Sequence, residues 1–265
     1  MQALKHFLLR AFFTLLFLAV PVLGVWTFVK APAWHVWFPE NVSSYGGEID
    51  RLFWLITYMV TVVFLITEGL LIYFFFRYSR RDSSRALYTH GHHTLEMVWT
   101  AIPAILLLVV AFSQMGTWAK IKIDLPEDSP YSAAHPMMEV YGSQFDWRAR
   151  YPDREGNFQG EDVIETPYDI YVPVDTKVVF LLRSRDVLHS FFVPAFRLKQ
   201  DAVPGMEIPM WFEATKVGDY DLVCAELCGW GHYKMAGKVH VLPGEDYEAW
   251  LEGQRNALYS NGSED

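Results

Sequence analysis

The chain has 265 residues, of which 52% are hydrophobic and 20% charged, and it carries a formal net charge of −9 at pH 7. An acidic balance of this kind gives no electrostatic footprint for a nucleic-acid partner, which is excluded. Two cysteines are too few for a disulfide framework of the kind that staples small secreted domains.

The N-terminal segment, residues 1–30, places Lys5 and Arg10 before an apolar stretch from Ala11 to Val29. It reads either as a secretory signal or as a retained first helix, and both send the following segment outward; no A-x-A cleavage pattern stands near its end and no cysteine follows it for lipid attachment. Residues 31–51 are expected to form an external linker. From Leu52 to Phe76 the chain is apolar for long enough to span a bilayer, with Glu68 as the only ionisable residue. A second span runs from Met97 to Trp118, with an internal Pro103 that neighbouring helices can tolerate. Between the spans, Arg77, Arg80, Arg81 and Arg85 face the single acid Asp82, so the loop belongs on the cytoplasmic side. Residues 52–118 therefore read as a helix hairpin whose second arm leads out of the cytoplasm.

Beyond residue 118 the pattern changes to short β-like runs, MMEVYGSQFDWRARYP, DIYVPVDTKVVFLLR, MEIPMWFEA, GDYDLVCAE and GKVHVLP, separated by Gly, Pro and Asp turn signals. This spacing predicts an all-β sandwich over residues 119–243. With its C-terminal extension it reaches about 145 residues, enough to bury its own core. A short helix opening near Glu245 and a disordered NGSED tail are expected over residues 244–265. Of the 31 acidic residues only six precede residue 119, and of the 22 Lys and Arg eight do, which leaves 25 against 14 and a net charge of about −11 on the external part. Such a surface can steer a basic partner, although acidity alone also serves solubility.

The segment CAELCGWGHYKM holds both cysteines, Cys224 and Cys228, with His232 and Met235 within twelve residues. A further histidine, His189, lies in RDVLHSFFVP on an earlier β-like run, where a sandwich can bring it to the same loop. Soft sulfur with imidazole is a donor set for copper. A mononuclear blue-copper site uses one cysteine, so the second thiolate needs a role; two bridging thiolates with His189, His232, Met235 and a nearby carbonyl complete two coppers and predict electron relay rather than bond chemistry. Zinc is the rival ligand, but the cysteine spacing is one longer than the usual knuckle and methionine is a poor zinc donor. A Cys224–Cys228 disulfide is the other rival, and it leaves the local histidine and methionine without a role.

At these residues the chain resembles subunit II of the haem–copper cytochrome c oxidases. RDVLHSFFVPAFRLKQDAVPGM, from Arg185 to Met206, and CAELCGWGHYKM are similar to the family's two ligand segments, in the family's order after two membrane helices. The resemblance implies a cupredoxin Greek-key fold and a dinuclear copper centre, CuA. Cys224 and Cys228 would be bridging thiolates, His189 and His232 terminal imidazoles and Met235 the weak axial ligand. Glu226 would give its carbonyl to copper and its carboxylate to a Mg²⁺ at the contact with subunit I. HTLEMVWTAIP resembles the start of the family's second helix, which implies for Glu96 a place near the mouth of the proton-conducting K-channel; Glu68 has no such counterpart. Many members carry Q-W-Y-W where electrons enter, whereas this chain has Gln144-Phe145-Asp146-Trp147. The familiar entry tryptophan is thus replaced by Phe145; the candidates for electron entry are Phe145, Trp147 and Trp230 of the copper loop, with a core aromatic as the favoured reading of Trp147.

The resemblance implies an electron-entry subunit of the bacterial inner or plasma membrane, with its soluble domain on the periplasmic face, cytochrome c as donor, and subunit I and the other oxidase subunits as partners. Oxygen would be reduced in subunit I, and this chain alone would have no oxidase activity. No C-x-x-C-H haem attachment motif is present, so the donor is a separate or membrane-bound protein. Family quinol oxidases lack the copper ligands that are intact here. The alternatives are the CuA subunit of a membrane nitric oxide reductase and a copper-handling binding protein.

Overall fold

The computed structural model describes residues 2–34, 36–78, 88–160 and 162–261. Arg80, Arg81, Asp82 and Arg85 of the expected cytoplasmic loop lie outside the described residues, as do the last four residues of the expected tail. The chain divides into two compact units, Met1–Phe38 with Arg51–Met115, and Pro39–Asp50 with Gly116–Asp265.

Among the described residues three helices are long and apolar enough to cross a membrane: α1 (Gln2–Lys30), α2 (Gly46–Tyr78) and α3 (His93–Lys122). Their apolar side chains are mostly exposed, the arrangement expected of surfaces that meet lipid or other membrane helices. Within the first unit Phe13 and Phe17 pack on Phe75, with ring centroids 6.0 and 5.5 Å apart, and Phe28 meets Trp54 at 6.2 Å. Both hairpin helices begin earlier than their hydropathy suggests, because their first turns are polar. In α3 that turn caps itself: His92 Nδ1 accepts the Leu95 N–H at 3.3 Å while Glu96 Oε1 accepts the His92 N–H at 3.3 Å.

The second unit is a sandwich of two five-stranded sheets. One has the order β3-β2-β1-β5-β8, formed by β1 (Met138–Ser143), β2 (Asp146–Tyr151), β3 (Ile164–Pro167), β5 (Lys177–Ser184) and β8 (Ile208–Glu213). The other has the order β4-β10-β9-β6-β7, formed by β4 (Asp169–Pro173), β6 (His189–Val193), β7 (Leu198–Ala202), β9 (Gly218–Cys224) and β10 (Ala236–Leu242). Parallel pairs, β1 with β5 and β10 with β4, sit among antiparallel ones, so the chain crosses between sheets in the manner of a cupredoxin-like Greek key. Alternation sets the core: Val140, Trp147, Phe180 and Phe212 of one sheet meet Phe191, Leu222 and Val239 of the other, all nearly inaccessible.

The segment expected to be an external linker is in part a component of this sandwich. Ser43 bridges Ala214 antiparallel, with hydrogen bonds from the Ser44 N–H to the Glu213 carbonyl (3.1 Å) and from the Thr215 N–H to the Val42 carbonyl (2.9 Å). Val42 and Tyr45 are buried by this pairing, and the Tyr45 ring packs edge-on against Trp211 at 5.2 Å. Trp211 also donates its indole N–H to the Lys120 carbonyl at 3.2 Å, satisfying one of the orphan carbonyls at the end of α3. At the other end of the chain α4 (Gly244–Asn261) is longer than the short helix expected, and Trp250 stacks on Tyr171 with centroids 4.3 Å apart.

Candidate metal centre

The cysteine-rich segment is the connection between β9 and β10, and the ladder pins both its ends: Val223 pairs with Ala236, and the Cys224 N–H donates to the Met235 carbonyl at 3.1 Å. Between those ends the donors are spaced by four, four and three residues, which in a tightly coiled loop turns Cys224, Cys228, His232 and Met235 to one side. A short 3-10 turn at His232–Lys234 completes the coil. Gly229 makes it possible, with φ +132° and no room for a Cβ, which would meet Gln144 Nε2 at 2.8 Å. His189 arrives at the same place because β6 lies beside β9, with Phe191 opposite Cys224.

The donor atoms converge. The two Sγ atoms are 3.9 Å apart; His189 Nδ1 stands 3.9 Å from Cys224 Sγ, and His232 Nδ1 3.7 Å from Cys228 Sγ. Met235 Sδ is 3.7 Å from Cys228 Sγ, and the Glu226 carbonyl oxygen is 3.2 Å from Cys224 Sγ. His189, Cys224, Cys228 and Met235 are all buried, and His232 and Glu226 half-buried. Both cysteines are free thiols.

Charge and hydrogen bonding prepare these groups for a cation. Asp186 Oδ1 lies 2.7 Å from His189 Nε2 and, as a carboxylate, can only accept, so Nε2 keeps its proton; burial opposes a charged ring, but hydrogen bonds to Cys224 and Asp186 hold the imidazole above its usual range, and its Nδ1–H faces the Cys224 thiolate until a cation takes that proton's place. Partial burial alone would raise the Asp186 carboxyl, but hydrogen bonds from His189 and from the Gln144 and Val187 N–H groups outweigh it and hold it below the usual range. Burial likewise opposes ionisation of Cys224, yet hydrogen bonding, chiefly with His189, lowers its thiol to about 6. Cys228 is pushed up to about 11 by burial and by the neighbouring Cys224 thiolate. One thiolate is therefore favoured, and the second proton is held until a cation displaces it.

The other residues singled out from the sequence are placed as follows. Trp147 is fully buried, its ring 6.0 Å from His189 and 5.5 Å from Phe191, so it is a core aromatic beneath the cluster and not a surface contact. Phe145 is half-buried and meets Trp230 edge-on at 5.2 Å; the Gln144–Phe145 peptide is cis. Trp230 is 76% exposed, with Lys234 Nζ 4.7 Å over its ring, and Leu227 and Tyr233 of the same loop are also largely exposed. The Glu226 carboxylate joins no cluster of three His, Cys or acidic ligand atoms among the described residues. Glu96 caps its own helix. Glu68 lines an apolar groove between α1 and α2 with Pro21, Val25 and Leu65.

Three residues have roles here that the sequence pattern does not reveal. Asp186 and Gln144 hold the donors from outside, and Gly142 gives them room: a Cβ at Gly142 would lie 3.0 Å from His189 Cδ2 and 3.1 Å from Trp147 Cζ3. The aspartate three residues before His189 was the one local signal.

A sandwich of this topology, accompanied by membrane-length helices and carrying a sulfur–imidazole cluster under an end loop, defines a membrane-anchored cupredoxin-like protein. Two family models match: the periplasmic domain of cytochrome c oxidase subunit II over residues 151–242 and its transmembrane domain over residues 31–116. Cytochrome c oxidase subunit 2 of Thermostichus vulcanus is 33% identical over 82% of this chain and 78% of its own length, and that of Cereibacter sphaeroides is 32% identical over 85% and 82%. The periplasmic domain of subunit II (CoxB) of Bradyrhizobium japonicum is 25% identical, covering 51% of this chain and 99% of that domain, with a TM-score of 0.43. The chain belongs to the cytochrome c oxidase subunit II family. It is a membrane-anchored subunit of a haem–copper oxidase, with its soluble domain on the periplasmic side.

Proposed function

We propose that this chain is the electron-entry subunit of its oxidase, binding a dinuclear CuA centre that takes electrons from cytochrome c and passes them to haem in subunit I. The observation that carries this reading is the pair of thiols 3.9 Å apart, flanked on either side by an imidazole nitrogen, with a thioether and a carbonyl at the margins. A zinc knuckle has no use for Met235, and a disulfide would leave both imidazoles aimed at nothing.

Cys224 and Cys228 would hold the copper centre through their thiolates, with His189 and His232 each offering Nδ1 and Met235 and the Glu226 carbonyl as weaker donors. Bound copper supplies a one-electron couple. Everything else is done by the chain: the thiols give up their protons on loading, Asp186 keeps His189 in the binding tautomer, and burial of both sulfurs excludes water. Because the donors sit on a hairpin loop fixed to two paired strands and on β6, the frame changes little when charge changes, which favours rapid transfer at small driving force.

Trp230, with Leu227 and Tyr233, is an apolar crown above the loop where an electron donor can dock, and the acidic domain around it suits a basic cytochrome. Phe145, in contact with Trp230, links that crown to the loop. A Mg²⁺ held by the Glu226 carboxylate would need further ligands from subunit I. Glu96, at the start of α3, would serve proton uptake at the K-channel mouth.

Substitution tests the ligand set. Cys228→Ser in the assembled oxidase is expected to abolish the mixed-valence copper signal and lower cytochrome c oxidation by at least about 100-fold, as loss of a bridging ligand should. A Cys228→Ser enzyme with the wild-type copper signal would sink the assignment.

A further inference from the structure

The turn between β1 and β2 meets both halves of the metal centre. The Gln144 main-chain N–H donates to Asp186 Oδ2 at 2.7 Å, while its side-chain Nε2 donates to the Cys228 carbonyl at 2.5 Å. Asp186 turns its other oxygen to His189 Nε2 at 2.7 Å and receives the Val187 N–H there at 2.6 Å. One residue of one turn is thus tied to the histidine segment 42 positions away and to the cysteine loop 84 positions away.

We infer that Gln144 and Asp186 form a positioning clamp, which fixes His189 relative to the two-thiol loop; this rests on the two-copper reading above. The ends of the loop are already held, by the Cys224 N–H on the Met235 carbonyl and by the Ala225 N–H on the Ser190 carbonyl. Its middle, where Cys228 stands, is held by Gln144. Without that tie the Cys228 sulfur can swing about the loop ends, and its separation from Cys224 is no longer set.

The chemistry of each member is specific. Asp186 accepts on both oxygens, from an imidazole N–H on one side and a main-chain N–H on the other. Asparagine has one accepting oxygen and must turn its NH2 toward one of these two donors, so it can serve only one of them. Gln144 needs a donor at its tip, and glutamate would set a carboxylate against the Cys228 carbonyl. The space is matched too: Gly229 leaves room for the Gln144 amide, and Gly231 lies so close under the Phe145 ring that a Cβ there would be 2.5 Å from it. These two glycines let the turn lie flat on the loop.

The test compares the wild type with Asp186→Asn, Gln144→Ala and Gln144→Glu in the copper-loaded full-length chain in detergent. Copper content, the EPR hyperfine pattern, the rate of copper loss to a chelator and the thermal midpoint are measured together. Outer partners of metal ligands typically alter metal affinity by about 10–100-fold, so copper loss about 10-fold faster is expected for each variant. The EPR pattern should lose the symmetry of two equivalent coppers while the thermal midpoint of the metal-free chain stays at the wild-type value. Wild-type release rates and spectra in all three variants overturn the clamp alone. So does accelerated loss that merely follows a lowered midpoint of the metal-free chain. A wild-type chain that does not take up two coppers would fail the underlying reading and the clamp with it.

Discussion

His189 shows how much of this site is built from residues that never touch a metal. Its Nδ1 points at Cys224 because Asp186 holds the opposite nitrogen, and its ring lies where it does because Trp147 fills the core beneath it and Gly142 leaves space beside it. Adding a methyl group at Gly142 forces a contact of 3.0 Å with the imidazole. Overpacking of this kind typically costs about 1–3 kcal/mol, and Gly142→Ala is expected to lower the unfolding free energy by that amount while changing the copper EPR spectrum. An unaltered spectrum would show that the imidazole stays in place and that Trp147 yields instead. Trp147→Ala, in contrast, removes a fully buried indole and should cost about 3–5 kcal/mol in denaturant unfolding, the usual penalty for emptying an aromatic core site.

At the scale of elements, what was legible in the sequence was local. Four donors within twelve residues mark the loop that the structure closes around two neighbouring thiols, and long apolar runs mark α2 and α3. The parts that depend on distant pairing were not legible. MMEVYGSQFDWRARYP reads as one run, yet it is a hairpin whose turn at Ser143–Asp146 carries no glycine or proline between the strands. Residues 42–44 look like linker, yet they pair with 213–215, about 170 residues further along the chain. Hydropathy places the start of α2 at Leu52 because Glu48, Asp50 and Arg51 are polar, but the helix begins at Gly46. Glu48 there receives Lys120 Nζ at 2.7 Å and Thr117 Oγ1 at 3.1 Å, and Asp50 receives Arg197. Within the second unit Glu48 thus joins the first turn of α2 to the last turns of α3, and Asp50 joins it to Arg197. Trp211→Phe keeps the packing against Tyr45 but leaves the Lys120 carbonyl without its donor; a loss of about 1–3 kcal/mol in unfolding free energy is expected, with the copper spectrum unchanged. Glu96 belongs to this scale as well. Glu96→Ala should slow proton-coupled turnover of the assembled oxidase without altering the copper spectrum, and unchanged turnover would leave the carboxylate as a helix cap and nothing more.

For the whole molecule, charge and polarity are partitioned along the chain: apolar helices in one unit, and about eleven net negative charges beyond residue 118. If a basic cytochrome is steered to this surface, turnover in the assembled oxidase should fall steeply as salt rises from low ionic strength to about 0.15 M, where the screening length shrinks to roughly 8 Å. Flat dependence on salt would remove steering and leave the apolar crown of Leu227, Trp230 and Tyr233 as the docking determinant.

The central claim is that one chain binds two coppers on two shared thiolates. The most direct measurement is metal content together with low-temperature EPR on the purified, copper-loaded full-length chain. The account predicts two coppers per chain and a hyperfine pattern from one unpaired electron shared equally by both nuclei. A single copper with an ordinary one-nucleus pattern, bound zinc, or a Cys224–Cys228 disulfide that persists under reducing conditions would contradict it.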